Sequence, residues 1–247
     1  MPRFFARPED ISLNEIKIYG EEYKHIKNVL RLKRGDNITV SDGMGIDYAV
    51  TVESFEINCV VTRIVRSQNN FTEPPIDITL FQGIPKSDKM DLIIQKSIEL
   101  GVKRIFPVLM ERTVVRFGSD KDIDNKASRW QRIAFEAAKQ CSRGIIPKIE
   151  RPVTYDYALE LSKESQLSIV PYEKEKSSTL KQLLRRSPAK SVAVFIGPEG
   201  GFSEDEVKKA ELSEAVPVTL GPRILRTETA GIAVLSILMY ELGDVSK

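Results

Sequence analysis

Two stretches of the chain place glycines and charged side chains at the ends of apolar runs. The first is Gly197-Pro198-Glu199-Gly200-Gly201-Phe202, directly after Val192–Ile196. The second is Leu220-Gly221-Pro222-Arg223-Ile224-Leu225-Arg226-Thr227, at the end of the run Val216–Leu220. Glycine permits positive φ and lets a ligand approach bare backbone. In open α/β sheets, ligands bind beyond the carboxyl ends of the strands. A tight strand-to-helix turn accounts for either loop taken alone. Two such loops in succession favour a binding site. Arg226, Glu228 and Thr229 cluster beside the second loop. On the plainer reading Arg226 is a surface cation and Glu228 a carboxylate favoured by the start of a helix.

Several chemistries are excluded early. The glycine spacing is not that of the dinucleotide fingerprint G-x-G-x-x-G, and no Gly-Lys-Ser/Thr follows for a phosphate loop. No nucleophile elbow of the G-x-S-x-G type occurs. His25 is the sole histidine, and Cys59 and Cys141 lie far apart. A His-rich metal site, a cysteine cluster and a disulfide framework are therefore not expected, and no metal is.

Charge adds a second kind of signal. The 247 residues are 41% apolar and 29% charged, with a formal charge of only +2, so net charge says little about partners. Its distribution says more. Lys103 to Arg151 holds twelve Lys/Arg against six Asp/Glu, which leaves the rest of the chain net acidic. At about 100° per residue, Arg129, Arg132, Lys139 and, if the helix continues, Arg143 share one face of a helix expected over Asn125–Cys141. A second run, Lys24-His25-Ile26-Lys27 through Arg31, Lys33 and Arg34, contains no acid. One basic face is usually just solvated; two favour a polyanion partner. No apolar run reaches membrane-spanning length, and Met1-Pro2-Arg3-Phe4-Phe5 is not followed by a signal-peptide core. A cytoplasmic protein is expected.

The elements that must position these residues change character near Phe71-Thr72-Glu73-Pro74-Pro75. Before it lie a short helix, about Gly20 to Leu30, and strand-like runs at Asn37–Val40, Asp47–Ser54 and Asn58–Val65, as in a small β-barrel. After it, strands and helices alternate. The strands are Ile76–Gln82, Arg104–Leu109, Leu167–Pro171, Val192–Ile196 and Val216–Leu220. The helices are Asp88–Leu100, Asn125–Cys141, Tyr155–Ser162, Thr179–Arg185, Glu204–Leu212 and Glu228–Leu242. That order predicts an α/β layer fold with a buried parallel sheet. Ser87 and Thr227 are expected to cap helices, Gly101 to end one, and Ser203 with Glu206 to form a capping box.

Six motifs along the chain carry a family resemblance. They are Met1-Pro2-Arg3-Phe4-Phe5; His25 through Asp36; Lys96-Ser97-Ile98-Glu99-Leu100-Gly101-Val102; Glu136 through Arg143; Ile196 through Phe202; and Leu220 through Ala230. With these the chain resembles the RsmE family of 16S ribosomal RNA uridine N3-methyltransferases, within the SPOUT class. Cys141 departs from the small residue expected there, without consequence for the chemistry.

The resemblance implies a PUA-like β-barrel RNA-binding domain over 1–72 and a SPOUT α/β domain with a trefoil knot over 73–247. Pattern alone could not suggest a knot, since threaded chains are almost absent among proteins. It also implies a homodimer with each active site near the subunit interface, and 16S ribosomal RNA, within the small subunit, as partner. The cofactor would be S-adenosylmethionine, held by Ile196, Gly197, Pro198, Glu199, Gly200, Gly201, Leu220, Gly221, Ile224, Leu225, Arg226 and Thr229. Arg226 would stabilise the uracil anion, with Glu199 and Glu228 competing as base or orienting group. Candidate RNA contacts are Arg3, Arg7, Lys24, His25, Lys27, Arg31, Lys33, Arg34, Arg129, Arg132, Lys139 and Arg143. Two other readings stay open on the residues alone: a non-catalytic RNA-binding assembly factor, and a nucleotide-binding α/β enzyme.

Overall fold

The computed structural model describes residues 1–245. The chain divides into two compact units, residues 1–73 with 138–146, and residues 74–137 with the chain from 147 onward.

The first unit contains β1 (Arg3–Phe5), β2 (Glu15–Tyr19), α1 (Gly20–Lys24), β3 (Asn37–Ser41), β4 (Ile46–Glu56) and β5 (Cys59–Asn69). The helix α1 runs on into a single π-type turn, His25–Val29. The strands pair in the order β1-β3-β4-β5-β2, with β1 parallel to β3 and the other pairs antiparallel. Alternation sets the faces: Ile16 and Ile18 of β2, Ile38 and Val40 of β3, and Val50 and Val52 of β4 point into a core completed by Phe4, Ile26 and Val60. Two register shifts in the β4–β5 ladder bend the long hairpin.

Residues 138–146 are fastened to this unit by Glu73. Its carboxylate accepts hydrogen bonds from Arg143 Nη2 (2.7 Å), Gly144 N (3.0 Å) and Ile145 N (3.1 Å). In the sequence Glu73 marks only the change of character between the two halves.

In the second unit the elements are β6 (Asp77–Gly83), α2 (Lys89–Glu99), β7 (Arg104–Leu109), α3 (Asp120–Gln140), β8 (Lys148–Ile149), β9 (Val153–Thr154), α4 (Tyr155–Ser162), β10 (Leu167–Pro171), α5 (Leu180–Arg186), β11 (Ser191–Ile196), α6 (Glu204–Leu212), β12 (Val216–Val218) and α7 (Thr227–Glu241). The sheet is parallel throughout, in the order β12-β10-β11-β6-β7-β8, with β9 also on β7. Central β11 is buried from Val192 to Ile196, as a strand covered on both faces must be. Phe81, Phe106 and Phe195 stack across β6, β7 and β11, with centroids 5.0 and 4.7 Å apart. The final helix α7 packs on α2 and reaches β11.

The helix ends mostly follow the expected chemistry, with two corrections. Ser203 and Glu206 form the reciprocal box, and Gly101 closes α2 at φ +85. Ser87 does not cap α2; it sits at φ +57, and Asp88 is the N-cap, without a side-chain bond. Thr227 does not cap α7 either. Arg226 occupies the N-cap, and Thr227 is the first helical residue, its hydroxyl turned to another use described below.

Candidate active site

The carboxyl ends of β10, β11 and β12 open onto a cavity of about 440 Å³. Its walls are the loop after β11, from Gly197 to Phe202, and the loop after β12, from Thr219 to Arg226. The first loop is drawn tight. A Cβ on Gly197 would lie 3.1 Å from the carbonyl carbon of Gly201, and one on Gly83 would lie 2.6 Å from Pro198 N. Gly201 sits at φ +66, a region that side chains with a Cβ seldom enter. Arg112 Nη1 donates to Gly200 O at 2.7 Å and braces the loop from outside.

A buried relay joins the two loops. Thr227 Oγ1 donates to Gly197 O at 2.6 Å, and Gln82 Nε2 donates to Thr227 Oγ1 at 3.0 Å. The end of β6, the end of β11 and the start of α7 are thereby tied together.

An ionic cluster joins them a second time. Lys89 Nζ lies 3.2 Å from Glu199 Oε1 and 3.4 Å from Glu228 Oε2. Lys86 N also donates to both Glu199 oxygens, at 3.1 and 3.2 Å. Burial pushes the Glu199 carboxyl up, but the backbone N–H groups of Glu199 and Lys86 and the Lys89 ammonium together outweigh it and hold Glu199 below the usual carboxylate range. The hydrogen bond to Glu199 raises the Lys89 ammonium against a smaller opposing effect of burial. Two carboxylates thus face one cation, and Glu199 is kept ionised and occupied. Both Glu199 oxygens are committed to Lys86 N and Lys89, an arrangement that orients the loop.

Ile196, Gly197, Pro198, Glu199, Gly200, Gly201, Leu220, Gly221, Ile224, Leu225 and Arg226 all line the cavity. Thr229 is exposed and Glu228 half-buried, and neither lines it; Glu228 reaches the cavity only through Lys89. Phe202, Arg223, Thr227 and Ala230, which belong to the two loop motifs without being expected contacts, line it too, as do Lys89, Pro171, Tyr172, Glu173 and Thr219, which the sequence does not mark. Tyr172 and Glu173 follow an apolar strand, as both glycine loops do, and that position was the available signal. Lys89 carried none, because its partners lie more than a hundred residues away in the chain.

The basic candidates separate into two sets. Arg3 pairs with buried Asp47, Lys139 with Glu22 (2.5 Å) and Arg143, only 3% exposed, with Glu73. Lys139 also lies 4.9 Å from the Phe4 ring centroid and 3.3 Å from His25 Nδ1. These three cations hold the first unit together instead of presenting themselves to a phosphate. Arg7, Lys24 and Arg129 are exposed but carry acidic partners, and Lys27 bonds to the Tyr23 hydroxyl. Arg31, Lys33, Arg34 and Arg132 are exposed, and no ion pair involves them among the described residues. Half-buried His25 packs edge-on to Phe4. Among the described residues no helix is long and apolar enough to cross a membrane.

Comparison with known proteins gives this geometry a family. Residues 72–239 match the RNA methyltransferase domain, and residues 18–56 match the RNA methyltransferase PUA domain. The chain is 33% identical to the ribosomal RNA small subunit methyltransferase E of Buchnera aphidicola, covering 99% of this chain and 95% of that protein. It is 33% identical to the Bacillus subtilis protein of the same name, covering 98% and 97%. A crystal structure of the Neisseria gonorrhoeae methyltransferase E bound to S-adenosyl methionine superposes with a TM-score of 0.88 at 34% identity, over 99% of each chain. With its matched domains and full-length relatives, the chain belongs to the RNA methyltransferase family that includes the small-subunit methyltransferase E proteins.

Proposed function

We propose that the chain transfers the methyl group of S-adenosylmethionine to N3 of a uridine in 16S ribosomal RNA of the small ribosomal subunit, in the cytoplasm. The observation that carries this reading is the cavity between the two glycine loops. Its volume, about 440 Å³, lies in the range that takes a cofactor-sized molecule. Its walls at Gly197, Gly200 and Gly201 are bare backbone that any Cβ would crowd or strain. The cofactor would be held by Ile196 to Gly201 and by Leu220, Gly221, Ile224 and Leu225. A non-catalytic assembly factor has no use for such a cavity.

When bound, S-adenosylmethionine supplies a methyl group already activated by its sulfonium. The protein's part is to orient the uracil and make its ring nitrogen a nucleophile. That nitrogen must lose a proton. Glu199 is already engaged by Lys86 N and Lys89, and Glu228 stands outside the cavity wall, so neither carboxylate is placed to take it and the proton passes to solvent. Arg226 lines the cavity, and no ion pair or side-chain hydrogen bond involves it among the described residues. Its planar guanidinium stabilises the imide anion that remains. Glu199 and Glu228 act as positioning residues through Lys89.

The finer fold reading is a SPOUT domain over 73–247 with a trefoil knot at the cofactor site, the two glycine loops being the knot's cofactor-binding loops, and a PUA-like barrel over 1–72. Its support is topological: the chain leaves edge strand β12 and returns to lay α7 against α2 and β11. The molecule is a homodimer in this reading. The exposed apolar residues Leu92 on α2 and Ile237 and Tyr240 on α7 support it.

The test is single-turnover methyl transfer by the Arg226→Lys variant. Loss of the planar fork should slow transfer on the order of a hundredfold while S-adenosylmethionine and RNA still bind. Raising the pH should recover part of the rate. A normal single-turnover rate would remove Arg226 from the chemistry, and no transfer by the wild type would sink the reading as a whole.

A further inference from the structure

From Lys176 to Pro198 the chain holds five cations and no acid. Most of this stretch is α5 and its flanks. Leu180 and Leu184 are buried, and at about 100° per residue Lys181, Arg185 and Arg186 fall on the opposite, exposed side. Lys190 is exposed just beyond the helix. None of these four makes an ion pair among the described residues.

Neighbouring elements treat their lysines differently. Lys163 of α4 pairs with Glu160 at 2.7 Å, and Lys209 of α6 pairs with Asp156 at 2.7 Å. An ordinary solvated face mixes both signs, as those helices do. The α5 face keeps its positive charge uncompensated.

Its position links it to the cavity. Thr179, the N-cap of α5, bridges Thr219, and Thr219 N donates to Ser178 O at 2.8 Å. Thr219 begins the second cavity loop, which carries Arg223 and Arg226, both exposed and without ion pairs among the described residues. The start of α5 and the second loop are thus joined by backbone.

We propose that the exposed side of α5 bearing Lys181, Arg185 and Arg186, together with Lys190 beyond its end, is a docking surface for the phosphate backbone of the substrate ribosomal RNA, linked to the cavity through the start of α5 at Thr179 and Thr219. This rests on the methyltransferase reading above. Unpaired cations release bound counterions from a polyanion on contact, so the surface adds affinity without reading sequence. It also fixes the direction from which the strand reaches the cavity.

The experiment replaces Lys181, Arg185 and Arg186 together with Gln. Binding of protein-free 16S ribosomal RNA and of the assembled small subunit is then measured as a function of KCl concentration. The capping box of Thr179 and Gln182 is left intact, and S-adenosylmethionine affinity by calorimetry reports the fold. Each lost phosphate contact lowers the logarithmic salt slope by about 0.7 to 0.9, so a fall of about two is expected for protein-free RNA, with cofactor affinity unchanged. A control variant, Lys163, Lys208 and Lys209 to Gln, should keep the wild-type slope. An unaltered slope in the α5 variant, with a wild type that methylates, overturns the inference and leaves the methyltransferase reading standing. Weakened binding to the assembled subunit alone also overturns it, because the partner is then a ribosomal protein. If the variant loses cofactor affinity, Arg185→Gln and Lys190→Gln are measured singly. Intact cofactor binding with an unchanged slope in both again overturns it.

Discussion

At the scale of single residues, the site is governed by an imbalance: two carboxylates, Glu199 and Glu228, share one ammonium, Lys89. The folded pKa of Glu199 is depressed, so its contribution to holding the loops is present above the ordinary glutamate value of about 4.3 and is lost as pH falls through the lower folded value. Cofactor affinity should therefore stay level down to about pH 5 and fall only in stronger acid. In Lys89→Met the effect of burial on Glu199 is less opposed and two like charges face each other, so the fall should begin at higher pH. Lys89→Arg should restore most of the wild-type profile. Calorimetric titrations of S-adenosylmethionine from pH 4 to 8 decide it, and coincident profiles for wild type and Lys89→Met would show that the cluster does not support the cavity. Gly201→Val should act differently. A β-branched residue at φ +66 costs roughly 1–3 kcal/mol and fills backbone-lined space, so cofactor binding should be lost at every pH while a cooperative melt remains. Wild-type affinity in that variant would take the first loop out of the site.

Elements were legible where local chemistry decides them and illegible where distant partners do. Tyr155–Ser162 and Glu204–Leu212 read correctly from periodicity and caps, and Arg104–Leu109 from its unbroken apolar run. The strands Arg3–Phe5 and Glu15–Tyr19 did not, because they exist through pairing with β3 and β5 and carry little signal of their own. The two glycine loops were readable because the backbone's needs are written in the residues of the loop itself. Tyr172 and Glu173 were not, since their place in the cavity depends on β10 lying between β12 and β11. The basic face read on α3 illustrates the same limit: spacing aligned Lys139 and Arg143 with Arg132, but Glu22 and Glu73 neutralise the first two. Glu73 gives an element-scale test. Its carboxylate holds an almost fully buried guanidinium and two backbone donors of the segment 138–146. Removing one partner of a buried ion pair typically costs about 3–5 kcal/mol. Glu73→Ala should lower the urea midpoint by that equivalent and increase proteolysis between residues 138 and 146. Arg132→Ala, at an exposed and unpaired position of the same helix, should change neither. Equal stability of Glu73→Ala and wild type would mean that other contacts hold the returning segment.

At the scale of the whole molecule, the final helix connects the cavity to the proposed subunit interface. Gly231, Val234, Leu235, Leu238 and Met239 of α7 are buried. The opposite side is mixed, carrying Thr229 and Ser236 beside apolar residues. Ile237 and Tyr240, three residues apart and so neighbours on one face, remain 38% and 59% exposed. Large apolar side chains left exposed on a helix favour a second surface that covers them, and a second copy of the chain is the partner in the homodimer reading. Ile237→Glu with Tyr240→Glu places two carboxylates on that face. In a two-fold interface each change occurs twice, so four like charges would have to be desolvated together. Sedimentation at micromolar concentration should show a dimer for the wild type and a monomer for the double variant. Because α7 begins at Thr227, whose hydroxyl holds Gly197 O, the monomer should also bind S-adenosylmethionine more weakly, and raising its concentration should recover both association and affinity. A wild type that sediments as a monomer would end the homodimer reading. A double variant that remains a dimer would move the interface away from α7, and the exposed side of Ile237 and Tyr240 would then need another partner.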